Sequence, residues 1–160
     1  MTNEPYLVTT DQDRDSITAL HSICFDVKTQ GAELQVALED KRCFAFLVGC
    51  DEDGQPAGYI VCRVQDKESE GLWLGVRPEC RGEGWGRKLM SAVLNESHAR
   101  GAEVYCAQIA DDYPTSAMTL HIHKNLGFIT VDSNPDWSIC DGERIKFTNH
   151  HVLVSLITGK

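Results

Sequence analysis

Apolar residues recur with two periods along this chain, and the two periods divide it into strands and helices. Short apolar runs bounded by polar residues are typical of buried strands. Segments with apolar residues every three or four positions, such as the one that follows Thr10, predict amphipathic helices. The predicted order is strand 6–8, a helix from about residue 11, helix 32–40, strands 43–50, 57–64 and 72–76, a helix ending near 100–101, strand 104–109, a helix ending at Gly127, strand 128–131 and strand 151–156.

Polar segments between these runs are predicted to be turns and loops. The segment Asp51 to Gln55 holds an Asp-Gly pair, which tolerates positive φ and favours a hairpin turn. The charged run Glu68 to Gly71 is predicted to turn into the strand Leu72 to Val76, and residues 132–142 to form a polar loop. Strands and helices alternating in this way predict a mixed, strongly bent sheet with helices on both faces.

The segment Arg81 to Gly86 stands between a predicted strand and a predicted amphipathic helix. A strand that turns through glycines into a helix leaves free backbone N–H groups at the helix N-terminus, and these favour a phosphate. The dinucleotide fingerprint does not match, because Arg87 and Leu89 stand where its third glycine would fall. The P-loop does not match either, because no Gly-Lys-Ser/Thr follows. A solvated glycine turn is the alternative interpretation.

Two motifs together resemble one enzyme family. The pattern Val76-x-Pro78 followed by Arg81-x-x-Gly84-x-Gly86 resembles the acetyl-CoA loop of the GNAT superfamily, the acetyl-CoA-dependent N-acyltransferases. The segment Ile122 to Phe128 resembles that family's aliphatic-Tyr-x-x-x-Gly-Phe signature. The run Thr119 to His123 adds a local likeness to the phosphinothricin acetyltransferase type. The resemblance implies an α/β, GNAT-like fold: a central bent mixed sheet of about six to seven strands flanked by about four helices.

The resemblance implies that acetyl-CoA is the cosubstrate and that the loop amides hold its pyrophosphate. A backbone N–H near Leu74 or Gly75 would hold the thioester oxygen. Ser116 stands where many members have a pantetheine-contacting asparagine, and an N-cap is its alternative role. Arg77, Lys88 and two arginines of the loop region form a basic cluster. Its positive charge favours the binding of a polyanion such as CoA. The implied cofactor-binding residues are Leu74, Gly75, Val76, Arg81, Gly82, Glu83, Gly84, Trp85, Gly86, Arg87 and Ser116.

The resemblance also points to candidate catalytic residues. Glu70 stands where several members carry a glutamate base, with Glu68 as second choice, although charge runs are usually solvated. His123 stands where the family has a tyrosine acid, and a structural histidine is the alternative interpretation. Tyr113 is a reserve candidate. The implied reaction is acetyl transfer to a primary amine by direct attack in a ternary complex, with a small-molecule amine favoured. A protein N-terminal or lysine acetyltransferase, and a catalytically weak acetyl-CoA-binding protein, stay open as alternatives.

Length and composition indicate the number of domains, the classes of partner that are disfavoured and the cellular compartment. A chain of 160 residues, 42% apolar, is expected to form one domain over residues 1–160. A formal charge of −9 disfavours nucleic acid, and no apolar run is long enough to span a membrane. Seven cysteines without a Cys-x-x-Cys pair predict reduced thiols, no metal site and a cytoplasmic protein. Exposed edge strands are compatible with a homodimer.

Overall fold

The structure is a computed structural model that describes residues 3–25, 27–49, 51, 53–110, 116–126, 128–133, 138–140, 143–145 and 150–156. For residues 27–31, 108–110, 116–120 and those after 128 it describes the backbone alone. In chain order the elements are β1 (Tyr6–Leu7), α1 (Asp11–Cys24), α2 (Val27–Glu39), β2 (Cys43–Val48), β3 (Gly58–Gln65), β4 (Glu68–Val76), a 3-10 turn (Pro78–Cys80), α3 (Trp85–Ala99), β5 (Val104–Ala110), α4 (Ser116–Asn125), β6 (Ile129–Ser133), β7 (Ser138–Cys140), β8 (Glu143–Ile145) and β9 (His150–Leu156).

Seven of these strands form one mixed sheet in the order β1-β2-β3-β4-β5-β9-β6. All neighbouring strands in the sheet run antiparallel except β4 and β5, which run parallel. The α/β class and the mixed sheet with helices were predicted and are confirmed. The hairpin β7–β8 was not predicted, because three-residue strands are too short to show a hydrophobic period.

Helices cover both faces of the sheet, and each face has its own buried cluster. On one face Leu89, Met90 and Val93 of α3 pack on alternate residues of β2 and β3, and Ile122 and Leu126 pack beside them. On the other face α1 and α2 bury Ile17, Leu20 and Leu34 against Ala45, Leu47, Tyr59 and Val61. Because successive side chains of a strand point to opposite faces, β2 and β3 supply residues to both clusters.

Two predicted boundaries are wrong. Helix α2 begins at Val27 rather than near Ala32, because the helix continues through Gly31 although glycine has a low helix propensity. The run Glu68 to Gly71 was predicted as a turn, but it is the first half of β4. The turn lies at Asp66 and Lys67, whose φ angles of 54° and 48° suit a tight hairpin.

Gly71 serves packing rather than a turn. A Cβ atom at this position would lie 2.0 Å from the hydroxyl oxygen of Tyr105, a side chain that is 1% exposed. Burial raises the pKa of Tyr105 well above its usual range, so the hydroxyl stays protonated. The missing side chain of Gly71 therefore makes room for a buried tyrosine of the neighbouring strand β5.

Candidate active site

The sheet opens between β4 and β5. The two strands pair in parallel from Glu68 opposite Val104 to Gly71 opposite Ala107, and the rest of β4 pairs only with β3 within the described sheet. The opening coincides with a β-bulge, since Trp73 and Gly71 face consecutive residues of β3 and Leu72 is the extra residue. A bulge bends its strand and increases the local twist. We call the resulting space the β4–β5 gap.

The hydrogen-bond pattern of β4 tells which of its amides face this gap. The Arg77 N–H donates to the Ala57 carbonyl of the β3 side at 2.8 Å. Because hydrogen-bonded and non-hydrogen-bonded pairs alternate in an antiparallel ladder, Gly75 also turns its N–H to β3, whereas Leu74 and Val76 turn away from it. The Val76 carbonyl agrees with this, because it accepts from Arg81 Nε at 2.9 Å instead of pairing with β3. Of the two predicted thioester-binding amides, the geometry favours Leu74.

The loop before α3 presents backbone groups rather than side chains. Gly84 is the N-cap of α3 with φ of 90°, Gly82 has φ of 84°, and the helix has no side-chain cap. A Cβ at either glycine would meet nothing within 4 Å. The glycines are therefore required by backbone conformation and not by space. An exposed helix N-terminus without a cap can hold an anion.

Residues of the loop and of the first turn of α3 make contacts that fix the conformation of this segment. The indole N–H of Trp85 donates to the Glu83 carboxylate at 2.8 Å. The Trp85 ring packs on Gly49, where a Cβ would lie 3.2 Å from the ring. Gly86 allows α4 to approach, since a Cβ there would lie 3.2 Å from Ile122. The structure thus gives Trp85 and Gly86 packing contacts in addition to the cofactor contacts expected of them.

The predicted basic cluster is divided in the structure. Arg77 pairs with Asp51 at 3.1 Å and with Glu79 at 3.4 Å. Lys88 donates to the Asn3 carbonyl at 2.8 Å and lies 3.5 Å from Glu4. Arg81 and Arg87 are exposed, the first beside the loop and the second on the first turn of α3. Arg81 and Arg87 are therefore the better placed pair for a phosphate.

The two predicted catalytic side chains lie in different surroundings. Glu70 forms an ion pair of 3.0 Å with Arg63, and the side chains are 16% and 6% exposed. The Glu70 carboxylate is therefore held in an ion pair rather than solvated as a charge run would suggest. Glu70 also stands four residues before Leu74, roughly 13 Å along an extended strand. Glu68, the second candidate for the general base, is exposed at the start of β4.

His123 lies inside the protein at the end of α4. Its side chain is 3% exposed and meets the Phe128 ring edge-to-face, with ring centroids 4.9 Å apart. The helix ends just beyond it, where the His123 carbonyl accepts from the Leu126 and Phe128 amides. Of the remaining predictions, Tyr113 and Gly127 lie outside the described residues, as does the side chain of Ser116.

A second buried histidine, which was not predicted, contacts β4 through the Trp73 ring. His21, in the last turn of α1, is 1% exposed and shares a 2.7 Å hydrogen bond between its Nδ1 and the Tyr59 hydroxyl. The rings of Phe25, Tyr59 and Trp73 surround it. We call these three rings the His21 enclosure. The period of α1 could have indicated His21, since it follows Ile17 by four residues on the buried face.

Neither a cluster of metal-ligating side chains nor a membrane-spanning helix occurs in the part of the chain that the structure describes. Nowhere in that part of the chain do three or more His, Cys, Asp or Glu side chains gather as a metal site would require. Among the helices described, none combines the length and the apolar character needed to cross a membrane.

A comparison with protein families decides the assignment. The model of the acetyltransferase (GNAT) family matches residues 12–128, which includes the loop before α3 and the Phe128 segment. The chain belongs to the GNAT family. The confirmed prediction rested on two short motifs, and the family match extends from α1 to the start of β6.

Known proteins add detail at two levels. The L-amino acid N-acyltransferase MnaT of Escherichia coli K12 is 37% identical over 60 residues, which is 38% of this chain and a third of the relative. The ribosomal-protein-S18-alanine N-acetyltransferase of Escherichia coli has the same fold, with a TM-score of 0.70 and 16% identity over 96% of this chain and 94% of that one. A Bacillus subtilis acetyltransferase solved in complex with CoA gives a TM-score of 0.71 and 14% identity over 97% and 99%.

Proposed function

We propose that this GNAT protein transfers an acetyl group from acetyl-CoA to a primary amine by direct attack in a ternary complex. The observation that carries the proposal is the meeting of two features at one end of β4. The strand leaves its neighbour and turns the Leu74 amide toward the gap, and the same strand leads through glycines of positive φ into the uncapped N-terminus of α3. The Leu74 amide can donate a hydrogen bond to a thioester oxygen. The uncapped N-terminus of α3 can bind a pyrophosphate.

The proposed binding mode divides acetyl-CoA between these two places. Amides of Gly82 to Gly86 hold the pyrophosphate, with Arg81 and Arg87 beside them. The pantetheine arm runs along the edge of β4 that faces the gap, and the Leu74 N–H donates to the thioester oxygen. Because the charge on this oxygen grows as the amine attacks, a fixed N–H donor stabilises the transition state more than the ground state.

A small-molecule amine is the favoured acceptor. The partial relative is named for L-amino acids, whereas the structural neighbour is named for a ribosomal protein alanine. The 37% identity is a closer likeness than the 16% identity, so it weighs more for the choice of substrate. A catalytically weak acetyl-CoA-binding protein is the alternative, and the histidine in place of the family's tyrosine acid is the feature that favours it.

The experiment is release of CoA thiol from acetyl-CoA across amino acids, amino-acid amides, polyamines, aminoglycosides and N-terminal peptides, with acetyl-CoA binding followed by calorimetry on the same sample. We expect binding together with amine-dependent turnover, larger for small amines than for peptides. Binding without turnover would favour the acetyl-CoA-binding protein. Failure to bind acetyl-CoA would contradict both.

His123 is proposed to protonate the departing thiolate, and three substitutions test it. His123→Ala removes the proton donor and is expected to lower kcat by about 10²-fold, the lower end of the usual contribution of a general acid. His123→Tyr supplies the family's usual donor and should recover part of the rate, while His123→Gln should not. An Ala variant as active as the wild type at every pH would exclude the acid role.

A further inference from the structure

One ring nitrogen of His21 is buried without a hydrogen-bond partner. Its Nδ1 pairs with Tyr59, but Nε2 meets no donor or acceptor, although the side chain is only 1% exposed. A buried polar atom left in this state is destabilising, because it has lost its hydrogen bonds to water without gaining a partner. Burial keeps the pKa of Tyr59 well above its usual range, so its hydroxyl remains protonated and can either donate to Nδ1 or accept from it. When Nδ1–H donates to Tyr59, Nε2 has a free lone pair that can accept a proton, and when Tyr59 donates to Nδ1, Nε2 carries the proton itself.

The enclosure holds the imidazole in one orientation. Phe25 stacks on it with centroids 5.1 Å apart, and the Trp73 and Tyr59 rings meet it edge-on at 5.4 and 6.1 Å. These contacts come from three elements, the end of α1, β3 and β4. Phe25 and Trp73 are partly exposed, and an incoming amine would have to displace one of these two rings to reach the imidazole.

The enclosure lies directly against the strand that faces the β4–β5 gap. Tyr59 is the β3 partner of Gly75, and a Cβ on Gly75 would lie 2.5 Å from the Tyr59 ring and 3.0 Å from Cys24 Sγ. The absence of a side chain at Gly75 thus lets α1 and Tyr59 approach the β4 backbone. Leu74, which directly precedes Gly75 in β4, has the amide that faces the gap. His21 contacts Trp73, the residue directly before Leu74, whereas the ion-paired Glu70 stands four residues before Leu74.

We propose that His21, in the tautomer whose Nδ1–H donates to the Tyr59 hydroxyl, is a catalytic residue that contacts the acceptor amine and accepts its proton at the lone pair of Nε2, a role that rests on the proposed acetyl transfer. The amine nitrogen forms a bond to the thioester carbon and gives one proton to Nε2, which later releases it to solvent. The C–S bond breaks with its electron pair on sulfur, and the thiolate is then protonated. Acetylated amine and CoA thiol are the products.

The surroundings of His21 suit a neutral proton acceptor. Burial lowers the pKa of His21, so the imidazole is uncharged near neutral pH. Of the described side chains, Tyr59 from β3 and Cys24 from α1 are the titratable groups at the enclosure, and burial raises the pKa of both. The Trp73 ring from β4 and the Phe25 ring at the end of α1 are uncharged.

The test compares kcat/KM for the amine against pH in wild type, His21→Phe and Tyr59→Phe. His21→Phe fills the enclosure without a proton acceptor, and we expect kcat/KM to fall by about 10²–10⁴-fold with the acidic limb of the profile lost. Tyr59→Phe removes the partner of Nδ1, and we expect it to shift that limb while turnover stays measurable. Acetyl-CoA Kd should stay within about twofold in both, and Ile23→Ala, an exposed position of α1, serves as the unchanged control.

Three results would overturn the proposal. The first is a His21→Phe protein with kcat/KM within about threefold of wild type. The second is an acidic limb that persists unchanged in that variant. The third is a variant that loses acetyl-CoA binding and Tm in proportion to rate, which would assign His21 a structural role. A wild type that binds acetyl-CoA but turns over no amine would overturn the proposed function as well, and is thereby distinguished from a failure of His21 alone.

Discussion

The two faces of the sheet contribute to the proposed reaction in different ways. At the α3 end the binding groups are backbone amides, and their arrangement depends on glycines within one six-residue segment. On the α1 face the polar groups are side chains brought together from distant parts of the chain, as His21 and Tyr59 are across 38 residues. A site made of backbone requires few side chains, so it can persist while the acceptor face changes. This difference explains why short motifs identify the family but not the amine.

The first prediction asks whether the two faces are independent. Leu89 on the α3 face is fully buried and Leu34 on the α1 face is 1% exposed. Each Leu→Ala substitution is expected to reduce the free energy of unfolding by about 2–5 kcal/mol. Because the sheet separates the two clusters, the double variant should lose the sum of the two within about 0.5 kcal/mol in urea unfolding. A coupling above about 1 kcal/mol would show that the faces act as one core.

The second prediction isolates the cofactor end. Gly84 and Gly54 both have positive φ, at 90° and 76°, and both have open space where a Cβ would lie. Valine is strongly disfavoured in this conformation, so Gly84→Val and Gly54→Val should lower Tm by similar amounts. Only Gly84→Val should weaken acetyl-CoA binding, by at least about tenfold in calorimetry, because only that turn precedes α3. Equal losses of affinity in the two variants would refute the role given to the loop.

The third prediction concerns the buried imidazole of the α1 face. Because burial lowers the pKa of His21 in the folded protein, the unfolded chain binds a proton that the folded protein does not. Stability should therefore fall as pH decreases below about 6.5, by at most about 1.4 kcal/mol per pH unit from this group. His21→Phe should remove that part of the loss. Urea unfolding at pH 7.5 and 5.5 measures it, and the same loss in both proteins would contradict the assignment.

The smallest expected effect lies where α2 meets β2. The Asp40 carboxylate accepts from Arg42 Nη2 at 2.6 Å, and this hydrogen bonding lowers the pKa of Asp40 to about 2. Since Arg42 is 40% exposed, solvent screens the pair, and Asp40→Asn should cost at most about 1 kcal/mol at pH 7. The folded-state pKa is depressed, so the contribution is present above about pH 4 and lost as pH falls toward 2. In thermal unfolding, the Tm values of the wild type and the Asp40→Asn variant should therefore become equal as the pH falls toward 2.

Local sequence was sufficient for most of the helices and strands and for the glycine turn that precedes α3. Leu89, Met90 and Val93 follow the helical period and lie on the buried face of α3, as predicted. The Asp-Gly pair at residues 53–54 is a turn, with Gly54 at φ of 76° and the Asp51 carboxylate accepting from the amides of Asp53 and Gln55. In each case the residues that determine the local conformation are close together in the sequence. A sequence pattern can therefore reveal them.

Long-range contacts account for what the pattern missed. Glu70 was considered as a free carboxylate in a charged run, and the ion pair with Arg63 depends on the pairing of β3 with β4. The His21 enclosure depends on rings from three elements. The opening beside Leu74 depends on a bulge that has no signal in composition. None of these could be derived from spacing along the chain.

The contact between Gly71 and Tyr105 links two positions that sequence comparison treats as separate. Any side chain at residue 71 would occupy the place of the Tyr105 hydroxyl. Relatives that keep tyrosine at the second position should therefore keep glycine at the first, and those that replace the glycine should carry a smaller residue at the second. A lineage that replaced Gly71 had first to replace Tyr105, whereas Tyr105 could be replaced while the glycine remained, so the order of the two changes is restricted in one direction.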